Sequence, residues 1–264
     1  MNASATGFER FAGGVAAGLQ RAWEPALWFA GLLGLWEVLV WAFDVPTFIL
    51  PAPSVFLAKI AEEHERLLYH GLITTKMILY GFVAGAVPGI VLGYLFANFR
   101  TCERLLYPLV VFIQGLPKIT LAPLMLVWFG FGDFPKILLT SLITFFPVLV
   151  DSVAGFKSVD PRHYYLSRST GASRWQTFRL VQLPSAAPSI FSGFKITIVV
   201  AVTVVIVVEW LNSKTGLGYI VLRAMDASDT ALIFATLTVG SAIGVALSYG
   251  VIVLEKLLLP WRRR

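Results

Sequence analysis

The sequence predicts an all-α integral membrane protein with six spanning helices. Three observations carry that prediction. Of its 264 residues, 57% are hydrophobic and only 14% charged, whereas soluble domains carry about a quarter charged residues. Six stretches are apolar over about 20 residues, the length a helix needs to cross hydrocarbon. Lysine and arginine are sorted onto alternate connections, as orientation in a bilayer requires.

The elements follow in order. The first 22 residues are mixed in character, with no pattern of a cleavable signal. The first span is predicted over 25–43 and carries Glu37 near its middle. A proline-punctuated link, "DVPTFILPAPSVF" (44–56), leads to a short charged helix over 57–70. The second span, 72–97, places Gly81, Gly85, Gly89 and Gly93 four residues apart. Such a small-residue ridge predicts close helix packing, within the chain or against a second copy. The third span, 105–131, contains "QGLPKITLAP", where Gly115, Pro117 and Pro123 predict a break or kink and a short interfacial helix before the span proper. The fourth span is 137–156, the fifth 188–209 and the sixth 231–255. Between the last two, "SKTGLGYIVLRAMDASD" (213–229) predicts a tight glycine turn and an interfacial helix. The chain then divides into 1–70 (first span and link), 71–258 (a five-span core) and a basic tail over 259–264.

With the N-terminus inside, the inner segments carry Arg10, Arg21, Arg100, Arg104, Lys157, Arg162, Arg168, Arg174, Arg179, Lys256 and Arg262 to Arg264. The outer ones carry Lys59, Arg66, Lys136, Lys214 and Arg223. Both termini are therefore expected in the cytoplasm. Trp23, Trp28, Trp41, Trp128, Trp210 and Trp261 fall near span ends, where an amphipathic ring is favoured. The sequence pI near 9.5 does not point to nucleic acid, because the cations follow the loops and form no single basic face. One cysteine, Cys102, leaves no internal disulfide, and His64, His70 and His163 fit no zinc spacing.

The connection over 160–184 is too long for a turn. Asp160 is a helix cap with Pro161 at the first helical position, and Gly171 suits the left-handed residue that ends a helix. Ser173 and Gln176 have the spacing of a capping box for a second short helix. Pro184 is expected to end that helix by Leu183. Trp175, Phe178 and Val181 share one stripe on it. At about 15 Å it cannot cross a bilayer. It either lies among lipid headgroups or docks into a partner's groove.

The segment "GASRWQTFRLVQLPSAAP" resembles the cytoplasmic signature loop of ABC-importer permeases: Glu-Ala-Ala, three residues, Gly, nine residues, Ile-x-Leu-Pro. Gly171 is the glycine, Val181 holds the isoleucine position, and Leu183 and Pro184 close the motif. Tyr165, Leu166 and Ser167 stand where the family has Glu-Ala-Ala. "LPKITLAPLMLVWFGFGDFPKI" (116–137), "TFFPVLVDSVAGFKSVDP" (144–161) and "VVEWLNSKTGLGYIV" (207–221) are similar to permeases of nitrate, sulfonate, taurine, bicarbonate and thiamine-precursor importers. The resemblance runs in order over about residues 70–258. It implies the type I ABC-importer permease fold, a homodimer in the bacterial inner membrane, two cytoplasmic ATPases and an extracytoplasmic substrate-binding protein. It also implies that Tyr165, Arg168, Gly171, Arg174, Trp175, Phe178, Leu183 and Pro184 form the contact with the ATPase.

The chain has no Gly-x-x-x-x-Gly-Lys-Ser/Thr loop; "AGFKS" (154–158) lacks the first glycine. No enzymatic role and no cofactor are expected of this chain, and ATP and magnesium belong to the partner ATPase. For the passage, hydroxyls at Thr140, Ser141 and Thr144 on the fourth span and Thr197 and Thr203 on the fifth are candidates, although hydroxyls in spans also bond helix backbone. Lys118 is a candidate attractor for an anion such as nitrate, a sulfonate, taurine or bicarbonate; a thiamine-precursor pyrimidine or another small metabolite is the alternative cargo. Asp151, Lys195 and Glu209 lie towards span ends. Asp133, Lys136, Lys214 and Arg223 are candidate contacts for the binding protein. Three other classes compete. A secondary transporter predicts deep coupling carboxylates and repeated halves, and the sequence shows one deep Glu and no clear repeat. An intramembrane enzyme needs a paired nucleophile and base. Hydropathy alone allows an inert scaffold.

Overall fold

A computed structural model describes residue 23 and residues 27–263. The described chain is helical, with four helices long and apolar enough to cross a membrane, or five if one bent pair counts as a single span. The helices are α1 (Leu27–Ala42), α2 (Pro53–Glu62), α3 (His64–Asn98), α4 (Arg100–Gln114), α5 (Ala122–Phe129), α6 (Asp133–Lys157), α7 (Pro161–Ser169), α8 (Arg174–Thr177), α9 (Leu183–Asn212), α10 (Leu217–Asp226) and α11 (Thr230–Leu258).

The expected spans and the short outer helix map onto this set with three differences. The described part of α1 has 16 residues, about 24 Å, which is short of a hydrocarbon core. The third expected span is α4 followed by Lys118–Phe129, bent by 80°. Gly115 to Pro117 break it as expected, and a 3-10 turn over Lys118–Leu121 starts the second arm. The charged helix expected over 57–70 does not exist as one unit. Residues 53–62 form α2, and His64 already opens the long α3. Glu37 explains the join between α1 and α2: its carboxylate accepts from the Ser54 amide (3.0 Å) and hydroxyl (2.6 Å), capping α2 from the neighbouring helix.

The core forms where α3, α6 and α9 meet. The glycine ridge of α3 packs within the chain against α6. A methyl group on Gly81 would lie 2.5 Å from the Thr140 side chain, and one on Gly85 would overlap the Thr144 hydroxyl and the Ser141 carbonyl. Backbone approach this close needs the absence of side chains on one helix. Further along, Met77, Ile78, Phe82 and Ala86 of α3 pack with Val148 of α6 and Ile198, Ala201, Val202 and Val205 of α9. Pro88, Pro147 and Pro188 sit inside these helices, which neighbouring helices tolerate where they supply packing. Wide exposed apolar belts on α1, α3, α4 and α11, from Trp28 and Leu32 to Leu257, suit a lipid surround.

Candidate coupling elbow and membrane cavities

At one end of the bundle, α7 and α8 make an elbow. The Asp160 carboxylate accepts from the Arg162 amide at 2.8 Å, with Pro161 as the first helical residue. Gly171 turns the chain with φ of 72°. The Ala172 amide then reaches the Ser167 carbonyl (3.0 Å) and the Gly171 amide that of Arg168 (3.1 Å). Residues other than glycine adopt this backbone only at a cost. Ser173 and Gln176 complete the expected capping box: the Gln176 amide donates to the Ser173 hydroxyl, and the Ser173 amide to the Gln176 side chain. The arms are cross-tied by the hydroxyls of Ser167 and Thr177, 2.5 Å apart.

Pro184 does not end the second arm. Residues Arg174–Leu211 form one unbroken helical rod of 38 residues. A π turn over Phe178–Gln182 joins α8 to α9, with the Leu183 amide bonded to the Phe178 carbonyl. The wider turn makes room for a proline ring that would clash with the carbonyl four residues back in a regular helix. Gln182, 5% exposed, locks the junction by donating to Asn98 Oδ1 (2.8 Å) at the end of α3 and to the Tyr164 hydroxyl (3.0 Å) of α7.

The eight residues named for the ATPase contact divide between two faces. Tyr165, Arg168, Gly171, Arg174 and Trp175 are exposed; Leu166, Trp175 and Leu180 each present large apolar surface. Phe178 turns inward onto Tyr94 (4.9 Å between rings) and Phe156 (6.3 Å), carrying Trp175 stacked on its outer side at 5.4 Å. Leu183 packs with Phe156, Ala186 and Ile190, and Pro184 is half-buried.

At the opposite end, the amides that open α10 are bound by side chains from other helices. Gly216 N–H donates to His70 Nδ1 (2.9 Å), Leu217 N–H to Thr74 Oγ1 (2.8 Å) and Gly218 N–H to Glu209 Oε2 (3.2 Å). The Thr74 hydroxyl in turn points at Glu209 Oε2, 2.8 Å away. Sequence reasoning placed Glu209 at a span end and missed this role, because its partner Thr74 lies 135 residues away. The signal within reach was an acid seven residues before a glycine turn, in "EWLNSKTGLG". Of the four residues named for the binding protein, Asp133, Lys214 and Arg223 are exposed. Lys136 is 2% exposed, with its ammonium on Asp133 (2.8 Å) and the Ser213 hydroxyl (3.2 Å). A lysine so enclosed holds the structure together and offers little to a docking protein.

The passage candidates are also redistributed. Thr140, Thr144 and Thr197 are fully buried among helices of this chain. Thr144 bonds the Gly81 carbonyl at 3.3 Å and Ser141 that of Leu138 at 2.7 Å. Thr203, in contrast, is exposed. It lines both a cavity of about 350 Å³ shared with Lys118, Ile119, Ile143, Val200 and Val204 and a larger one of about 920 Å³ between α9 and α11. Asp151 lies against Gly193, and Lys195 pairs with Glu255.

Residues 89–264 match the family model of the binding-protein-dependent transport system inner membrane component. The chain belongs to that family. It is 34% identical over 245 residues to the formylaminopyrimidine transport permease of Halalkalibacterium halodurans, covering 92% of this chain and 98% of the relative. It is 34% identical to the riboflavin transport system permease of Chloroflexus aurantiacus over 87% of each chain. With the taurine transport system permease of Escherichia coli it shares 30% identity over 88% of this chain and 87% of that one. In fold it is similar to a chain of the MetNI methionine ABC transporter in inward-facing conformations. The TM-score is 0.56 at 19% identity, over 72% of this chain and 98% of the other. The protein is thus a multi-pass ABC-importer permease of the inner membrane with the type I permease fold, and its relatives are transport permeases.

Proposed function

We propose that this permease works as a homodimer whose elbow over residues 161–182 receives one of two cytoplasmic ATPases, while an extracytoplasmic binding protein delivers a small anion to the opposite end. Both termini then lie in the cytoplasm, in keeping with the lysine and arginine bias. ATP and magnesium are held by the ATPase, and lipid surrounds the spans. The observation that carries the reading is the unbroken rod from Arg174 to Leu211, which starts at an exposed tryptophan and continues into the core. A partner that grips Tyr165, Arg168, Arg174 and Trp175 moves α9 as a lever, and the tilt opens the passage alternately to each side. Glycine at 171 sets the corner, and the π turn keeps the arm and the span in one piece. Phe178 and Leu183 act from within, as the hinge's packing.

Replacing Trp175 by Asp removes the exposed ring and puts a carboxylate into the docking face. Gly171→Pro imposes a negative φ where the chain needs 72°. Both variants are expected to insert in the membrane at normal levels and to lose more than tenfold of transport-coupled ATP hydrolysis, as removing a buried aromatic anchor does. Full coupled activity in either would overturn the elbow's role.

A second cargo class has its own support. The two relatives at 34% identity are named for formylaminopyrimidine and riboflavin, both nitrogen heterocycles. Uptake assays with taurine, an alkanesulfonate and an aminopyrimidine, using the binding protein encoded with this chain, separate the two.

A further inference from the structure

We infer that the cavity at the break between α4 and α5 is an anion-attracting station, with Lys118 as its charge. The inference rests on reading the chain as an importer's passage for a small anion and adds the residue that supplies the attracting charge.

Lys118 begins the second arm of the bent pair, at the 80° turn. Its ammonium donates to the Gln114 carbonyl at 2.7 Å and lies 4.7 Å from the centre of the Phe146 ring. Three other lysines are neutralised by carboxylates: Lys136 by Asp133, Lys157 by Glu103 and Lys195 by Glu255. Among the described residues no carboxylate stands within ion-pair distance of Lys118. One carbonyl and one ring face leave an ammonium, with its three hydrogens, able to donate further. The cavity wall facing it is made of Ile119, Ile143, Val200 and Val204. Apolar walls lower the local dielectric, so an uncompensated cation is felt more strongly there than in open water. The exposed Thr203 adds one hydroxyl. An unpaired ammonium, one hydroxyl and an otherwise apolar wall suit a small anion with an apolar body, such as an organic sulfonate or carboxylate. Lysine and arginine select anions in pores by the same means.

The test uses membrane vesicles holding the assembled transporter and needs no knowledge of the cargo. Cys102, the sole cysteine, is replaced by Ser, and Val200→Cys places a reporter thiol on the cavity wall. Two methanethiosulfonate reagents of similar size are compared, one bearing a sulfonate and one a quaternary ammonium. With Lys118 present the anionic reagent reacts faster. In Lys118→Gln the anion-to-cation rate ratio is expected to fall about tenfold, and in Lys118→Arg to be retained. An unchanged ratio in Lys118→Gln overturns the inference, as does failure of both reagents to reach the thiol. The elbow is tested separately: a Trp175→Asp protein with normal coupled ATP hydrolysis refutes the lever and leaves the reagent ratio untouched.

Discussion

Glu209 is buried to the last atom, and a carboxylate without water has to find donors in the protein. Its Oε2 finds them in Thr74 and the amide of Gly218, while Oε1 has no hydrogen-bond partner among the described residues, so one oxygen of the side chain fixes where α10 begins. Glu209→Ala leaves the Gly218 amide short of a partner, a loss of about 1–3 kcal/mol for an orphaned buried donor, while the Thr74 hydroxyl keeps the His70 carbonyl as acceptor at 3.1 Å. Glu209→Gln keeps an acceptor in place. Thermal unfolding in detergent is expected to show Ala well below Gln, and Gln closer to the parent; equal melting of all three would remove the assignment. Gly216 supports it from the other side: its φ is 100°, and a methyl group there would overlap the Glu209 carboxylate. Local residue chemistry was legible in the sequence. The Asp160 cap and the Ser173–Gln176 box span two or three residues and need no tertiary partner. The glutamate's role was not legible, because neither Thr74 nor His70 is near it in sequence. The setting of the threonines was not legible for a related reason. Thr140 and Thr144 recur at helical spacing, which fits a polar lining and a helix contact equally well, and only the facing glycines decide between them.

Among the elements, the α3–α6 pair depends most on sequence detail. Glycines four residues apart on α3 receive Thr140, Thr144 and Ser152 of α6. Gly85→Val inserts three carbons where the Ser141 carbonyl and Thr144 hydroxyl already sit. Overpacking of this kind costs about 1–3 kcal/mol, so the purified variant should melt at lower temperature and expose Cys102 to thiol reagents sooner. An unaltered melting temperature would mean that the two helices are not in contact there. The ridge itself was visible as a period of four; its partner was not. The junction of α8 and α9 shows the opposite failure. Proline after a short amphipathic stretch reads as a stop under rules for regular helices, and the π turn evades that rule by adding one residue to the ring at Phe178–Leu183.

For the whole molecule, the charge bias and the proposed docking of the elbow imply the same sidedness. Thr170 is exposed on the elbow. A Thr170→Cys chain carrying Cys102→Ser is expected to react with a membrane-impermeant maleimide in inside-out vesicles and to be protected in right-side-out ones. Labelling of right-side-out vesicles would reverse the orientation proposed here. The number of spans was readable from apolar run lengths for the four long helices, whereas the bent pair departs from it by its 80° turn and the described part of α1 by its length.

The rod from Arg174 to Leu211 has one further consequence. It is roughly 57 Å long at 1.5 Å per residue, with a solvent-facing indole at its start and the Glu209 knot in its last turn. If displacing the indole strains the knot, thermodynamic reciprocity demands that loosening the knot changes affinity at the indole by an equal factor. On the coupling proposed above, Glu209→Ala should therefore alter how tightly a partner ATPase holds the opposite end of the bundle, although no atom of that glutamate comes near it.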